Sequence, residues 1–171
     1  MATRAASHDA RRVAELLGRE PEATFEVVVR DASGEPVVLR NDPLMFNGRP
    51  MPTLYWLAGK DALRRVSRLE AAGGVRAAEA AIPAAELAAA HARYAAERDS
   101  AIPQGHAGPR PSGGVAGTRT GVKCLHAHYA YHLAGGDDPV GRWVAAKLAE
   151  AADDPGAIND SAINDQGEQA R

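Results

Sequence analysis

The only cysteine of the chain and three of its six histidines lie together in GVKCLHAHYAYHLAGG, residues 121–136. Thiolate and imidazole are common zinc ligands in proteins. On a helix, Cys124, His128 and His132 would form one stripe, with His126 on another side. Their spacing puts Cys124 and His132 about 12 Å apart along the axis, so the three cannot share one ion. The pattern predicts a zinc site to which Cys124 with His128, or His128 with His132, supplies two ligands.

Further ligands for such a site would have to come from other parts of the chain. The candidate donors are His91, His106, Asp31 and Asp137, none of which has a diagnostic spacing. The alternative interpretation is that Cys124 is a small buried hydrophobic residue and that the histidines bond backbone carbonyls or face solvent.

The same residues also suit an enzyme. Near a helix N-terminus, beside Lys123 and His128, the pKa of the Cys124 thiol would fall and the thiolate could act as a nucleophile. His126 or His128 could equally serve as a general base. The sequence alone leaves these alternatives open.

Two neighbouring stretches are candidate binding surfaces. PSGGVAGTRTGVK offers free backbone N–H groups with Arg119 and Lys123, which suits an anion, although it lacks the Walker arrangement and also fits a plain surface loop. In PTLYWL, Tyr55 and Trp56 point to opposite faces of a strand, so one is expected in the core and the other is available for contact.

The elements that position these residues can be predicted from periodicity. β-Branched and aromatic residues predict strands at 24–30, 36–40 and 53–57, with Asn47-Gly48 in a tight turn between the last two. Apolar residues at helical spacing, with capping and stop signals, predict helices. These helices run from Ser7 to Gly18, from Asp61 to Gly73-Gly74, from Pro83 through ERD, from Thr120 to Gly135-Gly136, and from Asp138-Pro139 onward.

This order predicts an α+β fold, with a small antiparallel sheet of three or four strands packed on one face against four to five helices. We expect a single domain at 8–152 and a flexible N-terminus at 1–7. The polar segment 153–171 contains AIND twice without an apolar stripe and is predicted to be disordered.

Composition excludes several classes of function. Twenty basic residues against twenty-two acidic ones give a net charge of -2, and the basic residues are dispersed, which argues against nucleic-acid binding. No apolar run approaches the roughly 20 residues that span a bilayer, and no leader pattern follows Met1. One cysteine forms no internal disulfide, so we expect a cytoplasmic protein.

Several segments resemble a known family: GEP with PTLYWL, then RLEAAGGVR, HARYAAERD and GVKCLHAHYAYHLAGGDDPVGRWV. Across roughly residues 10–150 the chain resembles the actinobacterial family called domain of unknown function 501. That family has no established activity, so the resemblance implies kinship and a small cytoplasmic bacterial protein rather than a reaction.

The resemblance also implies a specific metal question. Typical members carry cysteines at the positions of Asp31 and Gly59, which with the cysteine of KCLHAH and a histidine would make a zinc site. Here Cys124, His126 and His128 remain while the other two cysteines are absent. Either the site has decayed, or the cysteines never bound metal, or Asp31 replaces one thiolate as a harder ligand.

Taken together, the sequence predicts a non-enzymatic binding or adaptor module with a degenerate Cys/His metal site, for which zinc is the candidate ion. Its partner would be a protein or a small molecule. The alternative is a small hydrolase-like enzyme that uses His126 or His128 as base or Cys124 as nucleophile.

Overall fold

The computed structural model describes residues 7–153, which form an α+β fold with a three-stranded antiparallel sheet and six α-helices. The predicted fold class is confirmed. The flexible N-terminus expected at 1–7 and the disordered tail expected at 153–171 lie outside the described residues, apart from Ser7 and Asp153, which belong to helices. The strands are β1 (Phe25–Arg30), β2 (Pro36–Asn41) and β3 (Tyr55–Leu57). The helices are α1 (Ser7–Leu17), α2 (Lys60–Ala71), α3 (Gly74–Ala81), α4 (Ala84–Ser100), α5 (Leu125–Leu133) and α6 (Pro139–Asp153).

The sheet has the order β1-β2-β3, as consecutive strands predict. A tight turn joins β1 to β2, because the Asp31 carboxylate accepts the N–H groups of Ser33 and Glu35. The predicted turn at Asn47-Gly48 is present, and Gly48 has a φ of +79°. It closes a tight turn, because the Gly48 N–H donates to the Met45 carbonyl at 2.9 Å and the Met45 N–H donates to the Arg49 carbonyl at 2.8 Å. Leu44 and Pro50 form an isolated antiparallel bridge on either side of this turn.

Both faces of the sheet are covered, whereas one covered face was expected. Val38 and Leu57 face the main core, which lies between the sheet and the helices. Leu39 and Phe25 face the other way and pack against Val13 of α1. The adjacent residues Val38 and Leu39 are both at most 1% exposed, so β2 is apolar on both sides and needs two covering layers.

Residues 7–153 form six helices, one more than the four or five expected. Gly73 ends α2 with a φ of +87°, as predicted, but the chain re-enters a helix at once as α3. None of the helices within residues 7–153 is long and apolar enough to cross a bilayer.

The Gly- and Pro-rich loop between α4 and α5 is fastened to α4 by two buried side chains. Arg98, 1% exposed, donates to the carbonyl oxygen of Gly113 at 2.9 Å. His91 accepts the Val115 N–H at Nδ1 (3.1 Å) and donates from Nε2 to the Gly121 carbonyl at 3.0 Å. A Cβ at Gly114 would lie 2.4 Å from the Cβ of His91, so this close approach requires glycine. The loop is therefore held in a defined conformation against α4.

The two hydrogen bonds between His91 and the loop predict that the free energy of unfolding depends on pH. Burial lowers the pKa of His91 below its ordinary 6.5, because the charged ring would lose its water shell. Protonation of Nδ1 would also abolish the bond from Val115. The stability contributed by neutral His91 is thus fully present above pH 6.5 and declines as pH falls toward the folded-state pKa, by at most about 1.4 kcal/mol per pH unit.

Urea denaturation between pH 7.5 and 5.5 measures this loss, in a range where exposed carboxylates stay ionised. His128 and Asp138 also face His91, and the imidazole of His128 disfavours a charge on His91 whereas the Asp138 carboxylate favours it. A His91→Gln variant can accept from Val115 and donate to Gly121 without titrating, so its unfolding free energy should fall less over this range. An equal decline in both proteins would contradict the assignment.

Candidate functional site

The segment before α5 is held in place by two carboxylates from other helices. Glu70 of α2 accepts the Leu125 N–H at 2.5 Å, and Glu79 of α3 accepts the Val122 N–H at 2.7 Å. Gly121 has a φ of +69°, and a Cβ there would lie 2.5 Å from the Glu79 carboxylate. These contacts set where the helix begins, since the N–H groups of its first turn need acceptors from outside.

The predicted start of this helix at Thr120 is wrong, because α5 begins at Leu125 and Cys124 is its N-cap residue in an extended conformation. The expected stripe of Cys124, His128 and His132 therefore does not form. The backbone conformations of Gly121 and Cys124 keep the thiol off the helix surface. Cys124 instead lies near Glu70 and His126, so the expected pairing of Cys124 with His128 is replaced by a different set of neighbours.

Glu70, Cys124 and His126 bring one carboxylate oxygen, one thiol sulfur and one imidazole nitrogen within 4.8 Å of one another. In the described part of the chain, this is the one group of three or more such side chains close enough for a single ion. Zinc bonds of about 2.0–2.3 Å keep ligand atoms on one ion within about 4.6 Å. Small side-chain adjustments would thus bring all three donors onto one metal.

The histidine of this cluster is oriented on both sides. His126 Nδ1 lies 3.1 Å from Glu70 Oε1, and Nε2 lies 3.1 Å from Ser67 Oγ. If Nε2 carries the proton and donates to Ser67, Nδ1 is left to bind on the side of Glu70. Metal-binding histidines usually make such a bond through their other nitrogen.

The electrostatic environment of Cys124 favours the protonated thiol when no metal is bound. Burial raises the pKa of the Cys124 thiol, and the Glu70 carboxylate raises it further. The backbone N–H groups of Ala127 and His126 at the start of α5, and the Lys123 charge, oppose this increase in the pKa. The thiol is therefore a weak nucleophile at neutral pH, whereas a bound cation would convert it to thiolate.

Cys124 and His126 line one wall of a cleft of about 310 Å³. Its other walls come from the sheet, α1, the first residues of α5 and the Gly-rich loop. The volume is at the lower end of the range for small-molecule sites, about 300–1,000 Å³. The remaining lining residues are Leu17, Thr53, Tyr55, Trp56, Leu57, Ala116, Lys123 and Ala127.

Four of the five residues predicted for ligand contact lie in this cleft: Tyr55, Trp56, Lys123 and His126. Arg119 is exposed and is not among the lining residues. Lining the cleft is a geometric fact, and ligand contact by these residues remains a prediction.

The two aromatic residues of the cleft are held differently. Tyr55 is 6% exposed, and its hydroxyl donates to the Glu97 carboxylate at 2.5 Å. Trp56 is half-buried on the opposite face of the strand, with the Arg19 guanidinium 5.2 Å from its ring centroid. The expected division into one core aromatic and one more accessible aromatic is thus present.

One residue of the cleft is strained. Ala116, in a single 3-10 turn at Val115–Gly117, has a φ of +56°, which costs a non-glycine residue roughly 1 kcal/mol or more. Its carbonyl lies 3.4 Å from the Lys123 amine. Strain of this kind concentrates at binding sites, where the surrounding structure enforces it.

His128 lies in a separate, fully buried pair. Its Nδ1 is 2.7 Å from the Asp138 carboxylate, and both side chains are 0% exposed. The other Asp138 oxygen accepts the Gly141 N–H at 2.7 Å, which confirms the predicted Asp-Pro cap of α6. The pair joins α5 to α6. His128 Nε2 is buried and has no hydrogen-bond partner among the described residues.

The other predicted ligand donors are spread over the fold. His132 packs near Gly141, His91 fastens the loop, and His106 Nε2 lies 3.2 Å from the Pro109 carbonyl oxygen. Asp31 caps its turn, and Asp137 forms ion pairs with Arg93 and Arg142. The structure brings none of these into the Glu70, Cys124 and His126 cluster.

Sequence reasoning missed Glu70 and Ser67. Glu70 lies 56 positions before His126, inside the ordinary helical sequence RLEAAGG. The one signal was that Ser67 and Glu70, three apart, share a face of α2. Only the packing of α2 against α5 shows that this face meets the cysteine.

Fold and site together define a small α+β protein with a Glu/Cys/His cluster beside a cleft. Residues 27–146 match the family model described as "Protein of unknown function (DUF501)". The match covers more than half of the chain, so the chain belongs to this family, as the sequence resemblance predicted. No curated protein and no solved structure matches it.

The positions of the two cysteines expected in the family lie outside the cluster. Asp31 is exposed in the β1–β2 turn, where Ser33 and backbone N–H groups lower the pKa of its carboxyl. Gly59 precedes α2, and a Cβ there would lie 3.3 Å from Val37. In this chain, the side chain that lies near Cys124 and His126 is instead the Glu70 carboxylate of α2.

Proposed function

We propose that this protein is a metal-dependent small-molecule binding module, in which Glu70, Cys124 and His126 hold a zinc ion at the edge of the cleft. The observation that carries the proposal is the approach of one oxygen, one sulfur and one nitrogen donor within 4.8 Å of each other. Mixed carboxylate, thiolate and imidazole donors suit zinc better than magnesium or calcium, which prefer oxygen alone.

Three protein ligands leave a coordination position for a ligand atom, as in zinc sites that bind substrate or water. Cys124 and His126 line the cleft, so this position would open toward it. Trp56 and Leu57 offer apolar contacts, and Lys123 offers a positive charge. The ligand class that fits is a small molecule with an apolar body and an anionic group able to reach the metal or Lys123.

Measuring zinc affinity tests this proposal, and a substitution at Ser67 tests the orientation of His126 most specifically. Ser67 touches His126 but is not a donor of the cluster, so Ser67→Ala removes only the orienting bond. We expect zinc affinity to fall about 10–100-fold, the usual effect of losing such a partner, with the unfolding free energy of the metal-free protein nearly unchanged. Competition with a chromogenic chelator, using full-length protein without a His-tag, measures the affinity.

His106→Ala is the matched control, since His106 lies in the long loop, outside the cluster, with its Nε2 3.2 Å from the Pro109 carbonyl oxygen. Its affinity for zinc should equal that of the wild type. If wild-type protein competes no better than a Cys124→Ser variant, the metal proposal is wrong. If Ser67→Ala and His106→Ala bind equally well, the assigned orientation of His126 is wrong.

A second candidate, a hydrolase, is favoured by one observation. Ser67 Oγ, His126 and Glu70 form a continuous chain of contacts in the order of nucleophile, base and orienting acid. Ser67 is exposed and does not line the cleft. Covalent labelling of Ser67 in metal-free protein by a fluorophosphonate, lost in His126→Ala, would support the hydrolase, and no labelling would exclude this nucleophile.

A further inference from the structure

A groove of about 470 Å³ between α2 and the end of α6 is unusually basic for this chain. Arg64, Arg65, Arg68 and Lys147 line it, together with a single carboxylate, that of Asp61. The protein as a whole carries a net charge of -2. The groove is therefore a local region of positive potential on a weakly acidic protein.

The positive charge of this basic groove is only partly neutralised. Arg64 pairs with Asp61 at 2.6 Å, and Lys147 pairs with Glu150 at 2.7 Å. Arg65 donates to the carbonyl oxygen of Leu148 at 2.6 Å, a neutral partner. Arg68 forms no ion pair with any residue in the described range. Two guanidinium charges thus lack a carboxylate in a groove that also has an apolar rim at Leu69 and Leu148.

The chain itself leads from this groove into an acidic segment. Ala151 and Ala152, near the end of α6, line the groove, and residues 154–171 follow directly. This segment has one arginine, Arg171, and a surplus of carboxylates. Its acidic residues are Asp154, Asp160, Asp165 and Glu168. The repeated AIND places Ile158 and Ile163 two positions before Asp160 and Asp165, which matches guanidinium groups beside an apolar rim.

We propose that the segment 154–171 of the same chain occupies the basic groove, with Asp160 and Asp165 paired to its arginines. The reach is sufficient, because seven residues beyond Asp153 extend up to about 24 Å, whereas α2 follows the groove from Asp61 to Leu69 for only about 12 Å.

The tether favours this occupant over a separate acidic partner. A short connection gives an effective concentration in the millimolar range, so individually weak exposed ion pairs suffice to populate the docked state. A free phosphate would meet the same arginines without that advantage and without contacts to the rim. The inference does not depend on the metal site.

Zero-length coupling of lysine to carboxylate by a carbodiimide tests the proposal in the full chain. The lysines are Lys60, Lys123 and Lys147, of which only Lys147 lines the groove. We expect Lys147 to couple to Asp160 or Asp165 within the monomer, as read by peptide mass spectrometry. Coupling of Lys147 to Glu150, its partner at 2.7 Å, shows that the reagent reaches this lysine.

An Arg64→Gln/Arg68→Gln variant should lower this coupling about fivefold, while Arg76→Gln on the exposed side of α3 should leave it unchanged. About 1 M salt should also suppress it, since the Debye length falls to about 3 Å. Absence of the Lys147 product, equal coupling of the segment to all three lysines, or coupling found only in dimers would overturn the proposal. An equal effect of the two arginine variants would overturn it as well.

Discussion

Replacing Asp138 with alanine is expected to lower the free energy of unfolding by about 3–5 kcal/mol, among the largest effects of any single change in this protein. The carboxylate holds two buried donors at once, His128 Nδ1 and the Gly141 N–H. Alanine would leave the imidazole, 0% exposed, without either of its nitrogens paired, and would remove the N-cap of α6.

Urea denaturation at neutral pH measures this loss of unfolding free energy, and two further variants serve as comparisons. Asp137→Ala removes the adjacent carboxylate, whose partners Arg93 and Arg142 are exposed, and should cost less than about 1 kcal/mol. Asp138→Asn keeps an acceptor oxygen for Gly141 and should fall between the two. Similar losses for Asp138→Ala and Asp137→Ala would show that the buried pair does not hold α5 and α6 together.

Replacing Arg98 with methionine is the second large effect, at about 3 kcal/mol. Its guanidinium is 1% exposed and donates to backbone carbonyls at Gly113 and, more weakly, at Pro52 and Ser112. Methionine fills similar space but leaves these carbonyls and the Asp99 carboxylate without their donor. The Gly-rich loop would lose one of its two attachments to α4.

Hydrogen exchange separates this local effect from global destabilisation. The Val115 N–H, bonded to His91, should lose more protection in Arg98→Met than the strand amides of β2. Arg93→Met is the control, because Arg93 is exposed and its partners lie at Asp137 on the surface. If Arg98→Met were no less stable than Arg93→Met, Arg98 would not be the anchor of the loop.

Much of the fold could be predicted because the relevant signals are local. The β-branched run at 25–30, the Asp138-Pro139 cap and the glycine at 73 each act within a few residues of the chain. The sequence pattern predicted the wrong helix start where the hydrogen-bond acceptors of the first turn come from distant parts of the chain. Thr120 looked like a cap, yet α5 takes its first acceptor from Glu70 and begins at Leu125.

The candidate site could be predicted only in part for the same reason. Cys124 and His126 were evident from their chemistry, and the cleft was anticipated in Tyr55, Trp56 and Lys123. Helical spacing suggested His128 as the partner of the cysteine, but His128 is hydrogen-bonded to Asp138. Glu70 and Ser67 became candidates only once the packing of α2 on α5 was known.

The most direct measurement of the central claim is the absorption spectrum of cobalt(II) added to metal-free, untagged full-length protein. A thiolate bound to cobalt gives a charge-transfer band in the near ultraviolet, so the ion reports its own sulfur ligand. We predict this band, saturating near about one equivalent, in the wild type and in His132→Ala, weakened in Glu70→Gln and absent in Cys124→Ser. A wild-type spectrum without the band, or a band that persists in Cys124→Ser, would contradict the claim that Glu70, Cys124 and His126 hold a metal ion.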